Sequence, residues 1–380
     1  MKNQHLTYFK VENFKKFDSL EVKDIGQFNL IVGDNNVGKT ILLEAISLKL
    51  SPKDFLGDLQ FILEKRLINF DNSKLDINAI NINHKRNVVG LVQNNMNKPL
   101  LFECKYKDNT VKHLHIENKF DYNPLNENTT KKFIEDVDLF GYKEINQLSK
   151  NWIIFKSNFK KDILYKEQKI IFLVDVTSTY YNQFLNSSIY LPFIKLSDLY
   201  AIDLIRFLNQ LINSPKDEEF LIQILNKLSN IKIIRLRIGD YIDGNEVIQI
   251  STENRIEYHP ITEYGDGFIR IFRIIVELLF NQNFNYLCID EIETGIHYSR
   301  QKSFWIDIIK ICKDLDIQLF ATTHSNECLR AFYEASKELN EQKDIRLISL
   351  QEGEQEKIYS TTYNFENIEA GLYSNIELRA

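Results

Sequence analysis

One stretch constrains this chain more than any other. Phe28-Asn29-Leu30-Ile31-Val32 is a short apolar run, and it leads directly into Gly33-Asp34-Asn35-Asn36-Val37-Gly38-Lys39-Thr40. An apolar-periodic segment follows from about Ile41 to Leu50, with Pro52 after its end. The pattern is GxxxxGKT set between a buried strand and a helix, which is the context the motif needs to work. Its glycines let successive backbone N–H groups wrap a phosphate, and the helix N-terminus adds partial positive charge. Lys39 is of the right length to reach β- and γ-phosphates, and the Thr40 hydroxyl is a ligand for Mg²⁺. Gly33, Asn35, Asn36, Val37, Gly38, Lys39, Thr40 and Ile41 are therefore the candidate nucleotide cradle.

A strand feeding a helix through such a loop implies a parallel sheet, and the rest of the chain supplies more of the same alternation. Tyr286–Asp290 and Gln318–Thr323 read as two further buried strands. They are each followed by a helical pattern, at Ser299–Cys312 and Asn326–Ser336. Ile345–Leu350 and Lys357–Tyr363 read as a hairpin around Glu352-Gly353-Glu354. Leu196–Leu228 and Phe268–Phe280 are helical in pattern, and Ile231–Ile238 with Val247–Ile250 form strands around Asp243-Gly244. Alternation of this kind predicts helices on both faces of the sheet.

Residues 53–188 are poorer in pattern and dense in Asn and Lys. Strand-like stretches (Asn87–Val92, Leu100–Tyr106, Val111–Ile116, Ile170–Val176) alternate there with helical ones (Thr130–Leu139, Glu144–Asn151). The expected organisation is an N-terminal part of an ATPase domain at 1–52, an inserted α+β lobe at 53–188, and the C-terminal part of the ATPase domain at 189–380. The fold class is α/β, with a mixed central sheet.

Three further places carry chemistry. Tyr286-Leu287-Cys288-Ile289 runs into Asp290 and Glu291 at the C-terminal end of a strand, where parallel sheets bind ligands. Asp290 suits the metal together with Thr40, and Glu291 suits the general base that draws a proton from an attacking water. Phe320-Ala321-Thr322-Thr323-His324 ends the next strand, and places His324 where it can sense a γ-phosphate. Gly265, Asp266 and Gly267 open the Phe268–Phe280 helix, a second anion-binding helix terminus. Arg270 and Arg273 follow at helical spacing, readable either as a solvated helix face or as a contact to phosphate or partner.

Composition narrows the class. Net charge is −6, which argues against a whole surface built for nucleic acid while leaving room for a local basic groove. There is no charged-then-apolar leader and no apolar run of bilayer length, so a cytoplasmic protein without membrane contact is expected. Cys104, Cys288, Cys312 and Cys328 form no CxxC pair and read as buried reduced thiols. Glu135, Asp136 and Asp138 do not share one helix face and read as solvated surface, leaving no second carboxylate cluster fit for phosphodiester cleavage.

In this order the motifs resemble those of the ABC-type ATPases of the OLD, RecF and SMC group within the AAA ATPases. They are similar above all to a bacterial branch of OLD-like ATPases that lacks the Toprim nuclease domain. The resemblance is carried by Val11-Glu12-Asn13-Phe14-Lys15-Lys16-Phe17 through Gly33-Asp34-Asn35-Asn36, and by Ile289-Asp290-Glu291-Ile292-Glu293-Thr294-Gly295-Ile296-His297. Gln318–Ser325 and Asn375-Ile376-Glu377-Leu378-Arg379 add to it. It is specific over residues 5–50 and 190–380 and weak over the lobe. One departure is the signature, Tyr264-Gly265-Asp266-Gly267 in place of Leu-Ser-Gly-Gly, which removes the signature serine.

The resemblance implies ATP and Mg²⁺ as ligands and hydrolysis to ADP and phosphate. It implies a head-to-tail dimer, or a larger assembly, in which the signature glycines of one copy close on the phosphate loop of another. Relatives of this branch include the ATPase subunits of the phage-defence systems PARIS and Septu. An ATP-driven sensor that answers a phage protein or DNA trigger and controls a separate effector nuclease is thus the expected role. The alternatives are a RecF-like repair ATPase that clamps DNA directly and a non-hydrolysing scaffold, the latter disfavoured by the intact Asp290 and Glu291.

Overall fold

The computed structural model describes residues 5–48, 50, 58, 93–95, 98–119, 152–160, 168–175, 193–194, 202–229, 231–240, 246–280 and 285–373. The first strands are β1 (Leu6–Phe14), β2 (Phe17–Val22) and β3 (Phe28–Gly33), followed by helix α1 (Lys39–Ser47). Then come β4 (Leu100–Tyr106), β5 (Val111–Lys119), β6 (Trp152–Lys160), β7 (Gln168–Asp175) and β8 (Phe193–Ile194). Helices α2 (Ile202–Ile212) and α3 (Pro215–Leu228) precede β9 (Ile233–Asp240), β10 (Glu246–Thr252) and β11 (Arg255–Pro260). The chain continues with α4 (Asp266–Phe280), β12 (Tyr286–Ile289), α5 (Tyr298–Asp314), β13 (Gln318–Thr322) and α6 (Asn326–Glu338). It closes with β14 (Ile345–Glu352), β15 (Ile358–Tyr363) and α7 (Phe365–Tyr373).

The central sheet runs β15-β14-β3-β13-β12-β8, with β15 antiparallel and every other pairing parallel. Strand parity divides its two faces, because successive side chains point to opposite sides. Phe28, Leu30, Val32, Leu287, Ile289, Leu319 and Ala321 pack with α2 to α6 in one core. Ile31, Cys288, Phe320, Ile348 and Leu350 pack with α1 and with β1, β2, β4 and β5 in the other.

Helices lie on both faces of the central sheet, as expected, but unequally. One face is helical, while the other holds α1 beneath a second, wholly antiparallel sheet, β2-β1-β4-β5-β6-β7. That sheet has an apolar face of its own to bury: Phe9, Val11, Phe102 and Leu114 lie at 2% exposure or less. Burying it against α1 and the central sheet removes two apolar surfaces from water at once.

Buried polar side chains fix how the two sheets meet. Gln318 at the start of β13 takes a hydrogen bond from the Leu6 amide at 2.8 Å and donates to the Leu6 and Gly26 carbonyls. Asn29 donates to the carbonyls of Gly26 and Leu319. Asn13 donates to the carbonyls of Asn95, Lys98 and Pro99, which holds the approach to β4 against the end of β1. Because β4 pairs with β1, the boundary drawn at residue 52 falls between strands of one sheet.

A third sheet, β11-β10-β9, packs beside α2 and α3. Within the helical pattern at 196–228, the described residues from Ile202 onward form two helices, split at Ser214-Pro215 with Pro215 as the first residue of the second, where its missing N–H costs nothing. The stretches Asn87–Val92, Thr130–Leu139 and Glu144–Asn151, and the carboxylates Glu135, Asp136 and Asp138, lie outside the described residues. Among the described residues no helix is long and apolar enough to cross a membrane.

Candidate functional site

The site is assembled at the C-terminal ends of β3, β12 and β13, three neighbouring parallel strands. The loop between β3 and α1 is tight. Asn36 and Gly38 both sit at positive φ, 66° and 113°. A side-chain carbon at Gly38 would come within 2.9 Å of the Phe17 ring beneath it, so the loop admits no larger residue there. Gly38 is the N-cap of α1 without a side-chain cap, and the first turn carries no acidic residue. The positive end of the helix is therefore left for an external anion.

Lys39 is buried, and its Nζ donates to the carbonyls of Gly33 and Asp34, both at 2.7 Å. The ammonium is thus held inside the loop curve, above the place where a phosphate would be wrapped. Lys16 donates to the Asn36 carbonyl from outside at 3.2 Å and pairs with Glu352.

At the end of β12, Asp290 accepts hydrogen bonds from two hydroxyls. Thr40 Oγ1 lies 2.9 Å from Oδ2, and Thr322 Oγ1 lies 2.6 Å from Oδ1. The phosphate loop and the acidic strand end therefore meet through side chains 250 residues apart in sequence. The fold is that of a P-loop NTPase.

Glu291 leaves the strand at φ 49°, and its amide donates to Thr322 Oγ1 at 2.8 Å. Its carboxylate is half-exposed, with Oε1 3.9 Å from His324 Nε2. The next turn ties back to the His324 loop: Glu293 Oε1 accepts from the His324 amide at 2.8 Å, and the Ile292 amide donates to the Thr322 carbonyl at 3.0 Å.

The structure thus brings Lys39, Thr40, Asp290, Glu291 and His324 into one place. Gly265, Asp266 and Gly267 stand at the head of α4, pressed against the loop that follows the acidic pair. A side-chain carbon on Gly267 would approach the Gly295 carbonyl to 2.5 Å. Gly265 has φ 84°, with open space where a side chain would be.

Of the two readings of Arg270 and Arg273 made from sequence, the solvated helix face is corrected. Each is 2% exposed, which excludes a solvated face. Arg270 turns inward, where Nη2 donates to the Asp290 carbonyl at 3.0 Å and to the Glu291 carbonyl. Burial pushes its guanidinium down to about 10, opposed by the nearby carboxylates of Glu293, Glu291 and Asp290. Arg273 pairs with Glu277 along the helix at 3.5 Å, both fully buried. Helical spacing gives neither orientation, since the face that α4 buries is decided by the sheet beside it. Thr322 is the other residue that sequence reading passed over. Only the register of the sheet reveals it: Thr322 lies one residue beyond Ala321, which pairs with Ile289, the neighbour of Asp290.

The donor set fits a small hard cation. Mg²⁺ keeps several waters and takes one or two protein oxygens together with substrate phosphates. Thr40 and Asp290 supply such oxygens beside the glycine cradle. Among the described residues no group of three or more His, Cys, Asp and Glu side chains could form an all-protein cage.

Known proteins resemble this chain as follows. Residues 177–330 match a family model described as an AAA domain (AAA_21), whose description also names the AbiEii toxin and a type IV TA system. An ATP/GTP phosphatase of Helicobacter pylori is 23% identical over 390 residues, covering 95% of this chain and 96% of that protein. Among solved structures, an Smc head bound to the C-winged helix domain of ScpA aligns with 95% of this chain and 98% of its own, at 11% identity and a TM-score of 0.47. The SMC head domain from Thermotoga maritima aligns with 95% of this chain and 99% of its own, at 10% identity and a TM-score of 0.40.

Proposed function

We propose that this chain is a Mg²⁺-dependent ATPase that works in the cytoplasm as a nucleotide-driven switch, closing head to tail on a second copy of itself. The observation that carries the reading is the meeting of Thr40 with Asp290, with Glu291 and His324 beside them. Phosphoryl transfer needs little covalent chemistry from a protein and depends on placement and charge.

Each residue then has a task. The cradle from Gly33 to Ile41 holds the phosphates, and Lys39 supplies positive charge to them in exchange for the two carbonyls it now contacts. Thr40 and Asp290 would hold the metal, which would supply positive charge beside the phosphates. Glu291 accepts the proton of the attacking water, and His324, within 3.9 Å of it, reads the γ-phosphate. ATP as substrate is supported by the AAA match and by the Helicobacter pylori relative, which carries the name ATP/GTP phosphatase. Phosphate release by the purified chain, measured with and without Mg²⁺ and against Asp290→Asn, tests the chemistry. Equal release by the two proteins would remove the reading.

The cellular role follows from the resemblance to OLD-like ATPases without a nuclease domain, and a family description naming a toxin–antitoxin system points the same way. The switch would answer a phage protein or DNA and control a separate effector nuclease. Cells carrying the gene with its neighbouring reading frames should resist phage, and should lose resistance with Lys39→Ala. A steep fall of DNA affinity with salt, with a log–log slope of about −5 or more, would instead favour the repair clamp.

A further inference from the structure

We propose that Arg270 is a positioning residue for hydrolysis: it fixes the backbone of Asp290 and Glu291 and so sets the aim of the Glu291 carboxylate. The proposal rests on the reading of Glu291 as the base.

Glu291 adopts φ 49°, a left-handed conformation that a non-glycine residue takes up only when its surroundings impose it. Each of its backbone polar groups is held by a side chain, the carbonyl also by the Thr294 amide at 3.1 Å. Its amide donates to Thr322 Oγ1 at 2.8 Å, and its carbonyl accepts from Arg270 Nη2. The same Nη2 donates to the Asp290 carbonyl at 3.0 Å, so one guanidinium nitrogen spans the two acidic residues.

A role in stability explains Arg270 poorly. The side chain is 2% exposed, and its Nε and Nη1 atoms have no hydrogen-bond partner among the described residues. A cation buried with part of its donors unmatched costs the fold more than an apolar side chain of the same length would. What the cation does accomplish is local: it grips the turn on which the base stands. It also binds that turn to the head of α4, because Gly267 abuts the Gly295 carbonyl and Arg270 Cδ lies 3.8 Å from where a Gly295 side chain would start. The head of α4 and the acidic turn are therefore in direct contact. Anything that seats on the glycines at 265 and 267 is felt at Glu291 through Arg270.

The test compares the unaltered chain with Arg270→Met, which keeps length and removes the donors, and with Arg270→Lys, which keeps charge and one donor group. Turnover against ATP concentration, affinity for a fluorescent ATP analogue, and amide exchange over 290–293 are measured on each. Arg270→Met is expected to lower kcat about a hundredfold while KM and analogue affinity stay within about threefold, and Arg270→Lys to recover about tenfold of the loss. Exchange over 290–293 should quicken in the methionine variant while 33–40 is unchanged. A folded variant of either kind with kcat within about twofold of the unaltered chain overturns the proposal, as does a loss of kcat matched by an equal loss of analogue affinity. Should the methionine variant not fold, the lysine variant is held to the same outcomes. If the unaltered chain shows no turnover, the ATPase reading fails by itself. The exchange comparison still decides whether Arg270 holds the turn, and unchanged exchange sinks the inference.

Discussion

Thr322→Val tests the centre of the site with little change of shape. The Thr322 side chain is fully buried and bridges the two acidic residues. Its hydroxyl donates to Asp290 Oδ1 at 2.6 Å and accepts from the Glu291 amide at 2.8 Å. Valine fills the same space and makes neither bond. A hydrogen bond to a charged group contributes about 1.5–3 kcal/mol, and a buried amide left without an acceptor costs about 1–3 kcal/mol. The two losses share one atom and do not simply add, so a destabilisation of about 2–4 kcal/mol is expected in the absence of nucleotide.

The functional loss follows from the same geometry. Without Thr322, Asp290 keeps, among the described residues, only the Thr40 hydroxyl as a side-chain partner, at 2.9 Å from Oδ2 and 3.2 Å from Oδ1. Removing a group that orients a metal-binding carboxylate typically costs about 10- to 100-fold in metal affinity. The assay is a Mg²⁺ titration of ATP turnover at saturating nucleotide, paired with urea denaturation of the apo protein. Thr322→Ser, which keeps the hydroxyl, should leave the Mg²⁺ requirement unchanged and lose only about 1 kcal/mol for the missing methyl. A valine variant with an unaltered Mg²⁺ midpoint and an unaltered urea midpoint would refute the argument.

Three other outcomes are expected. Lys39→Ala removes charge at the transferring phosphoryl group, so turnover should fall about a hundredfold, equivalent to about 3 kcal/mol, as read by phosphate release. Glu291→Gln should bind ATP and hydrolyse it very slowly. Sedimentation of that variant should show a dimer with ATP, and a species that remains monomeric under saturating nucleotide would count against the shared site. All four cysteines are buried, and burial pushes the Cys104 thiol up to about 12. A thiol reagent at neutral pH should therefore label the folded chain only as fast as it opens, and all four sites promptly in denaturant.

The parts of this molecule that were legible in its sequence are those whose chemistry demands contiguous residues. The cradle from Gly33 to Thr40, the pair Asp290-Glu291 and the end of β13 each sit on a strand whose apolar run announces it. What escaped is set by register and packing. Nothing local to Thr322 says that it stands beside Asp290, because parallel register is fixed by the whole sheet. Nothing local to Arg270 says that α4 turns it inward. β11 went unread because it is an edge strand with Ile256 81% exposed, so it lacks the buried alternation that marks inner strands. β6 has Ile153, Ile154 and Phe155 in succession, which obscures the period of two. The antiparallel sheet joins residues 6–14 to 100–106, a pairing that no local pattern specifies.

In the proposed reading two adjacent carboxylates do different work, and the backbone explains how they come to be placed apart. In an extended strand consecutive side chains point to opposite faces. Asp290 keeps to the face of the sheet that holds α1, where Thr40 and Thr322 reach it. Glu291 cannot simply take the other face, because Leu287, Ile289, Leu319 and Ala321 make that face apolar core. Continuing the strand would bury a carboxylate among them, at a cost far above that of a left-handed φ. The chain instead turns at Glu291, and the carboxylate stays half-exposed beside His324. The proposed division between a metal-holding residue and a base thus depends on one backbone conformation, held by Thr322 from the sheet and by Arg270 from α4. In the proposed dimer the head of α4 is where a second copy's nucleotide would bear. The same guanidinium that holds the turn would then be a hydrogen-bonded link from one copy's ATP to the other copy's base.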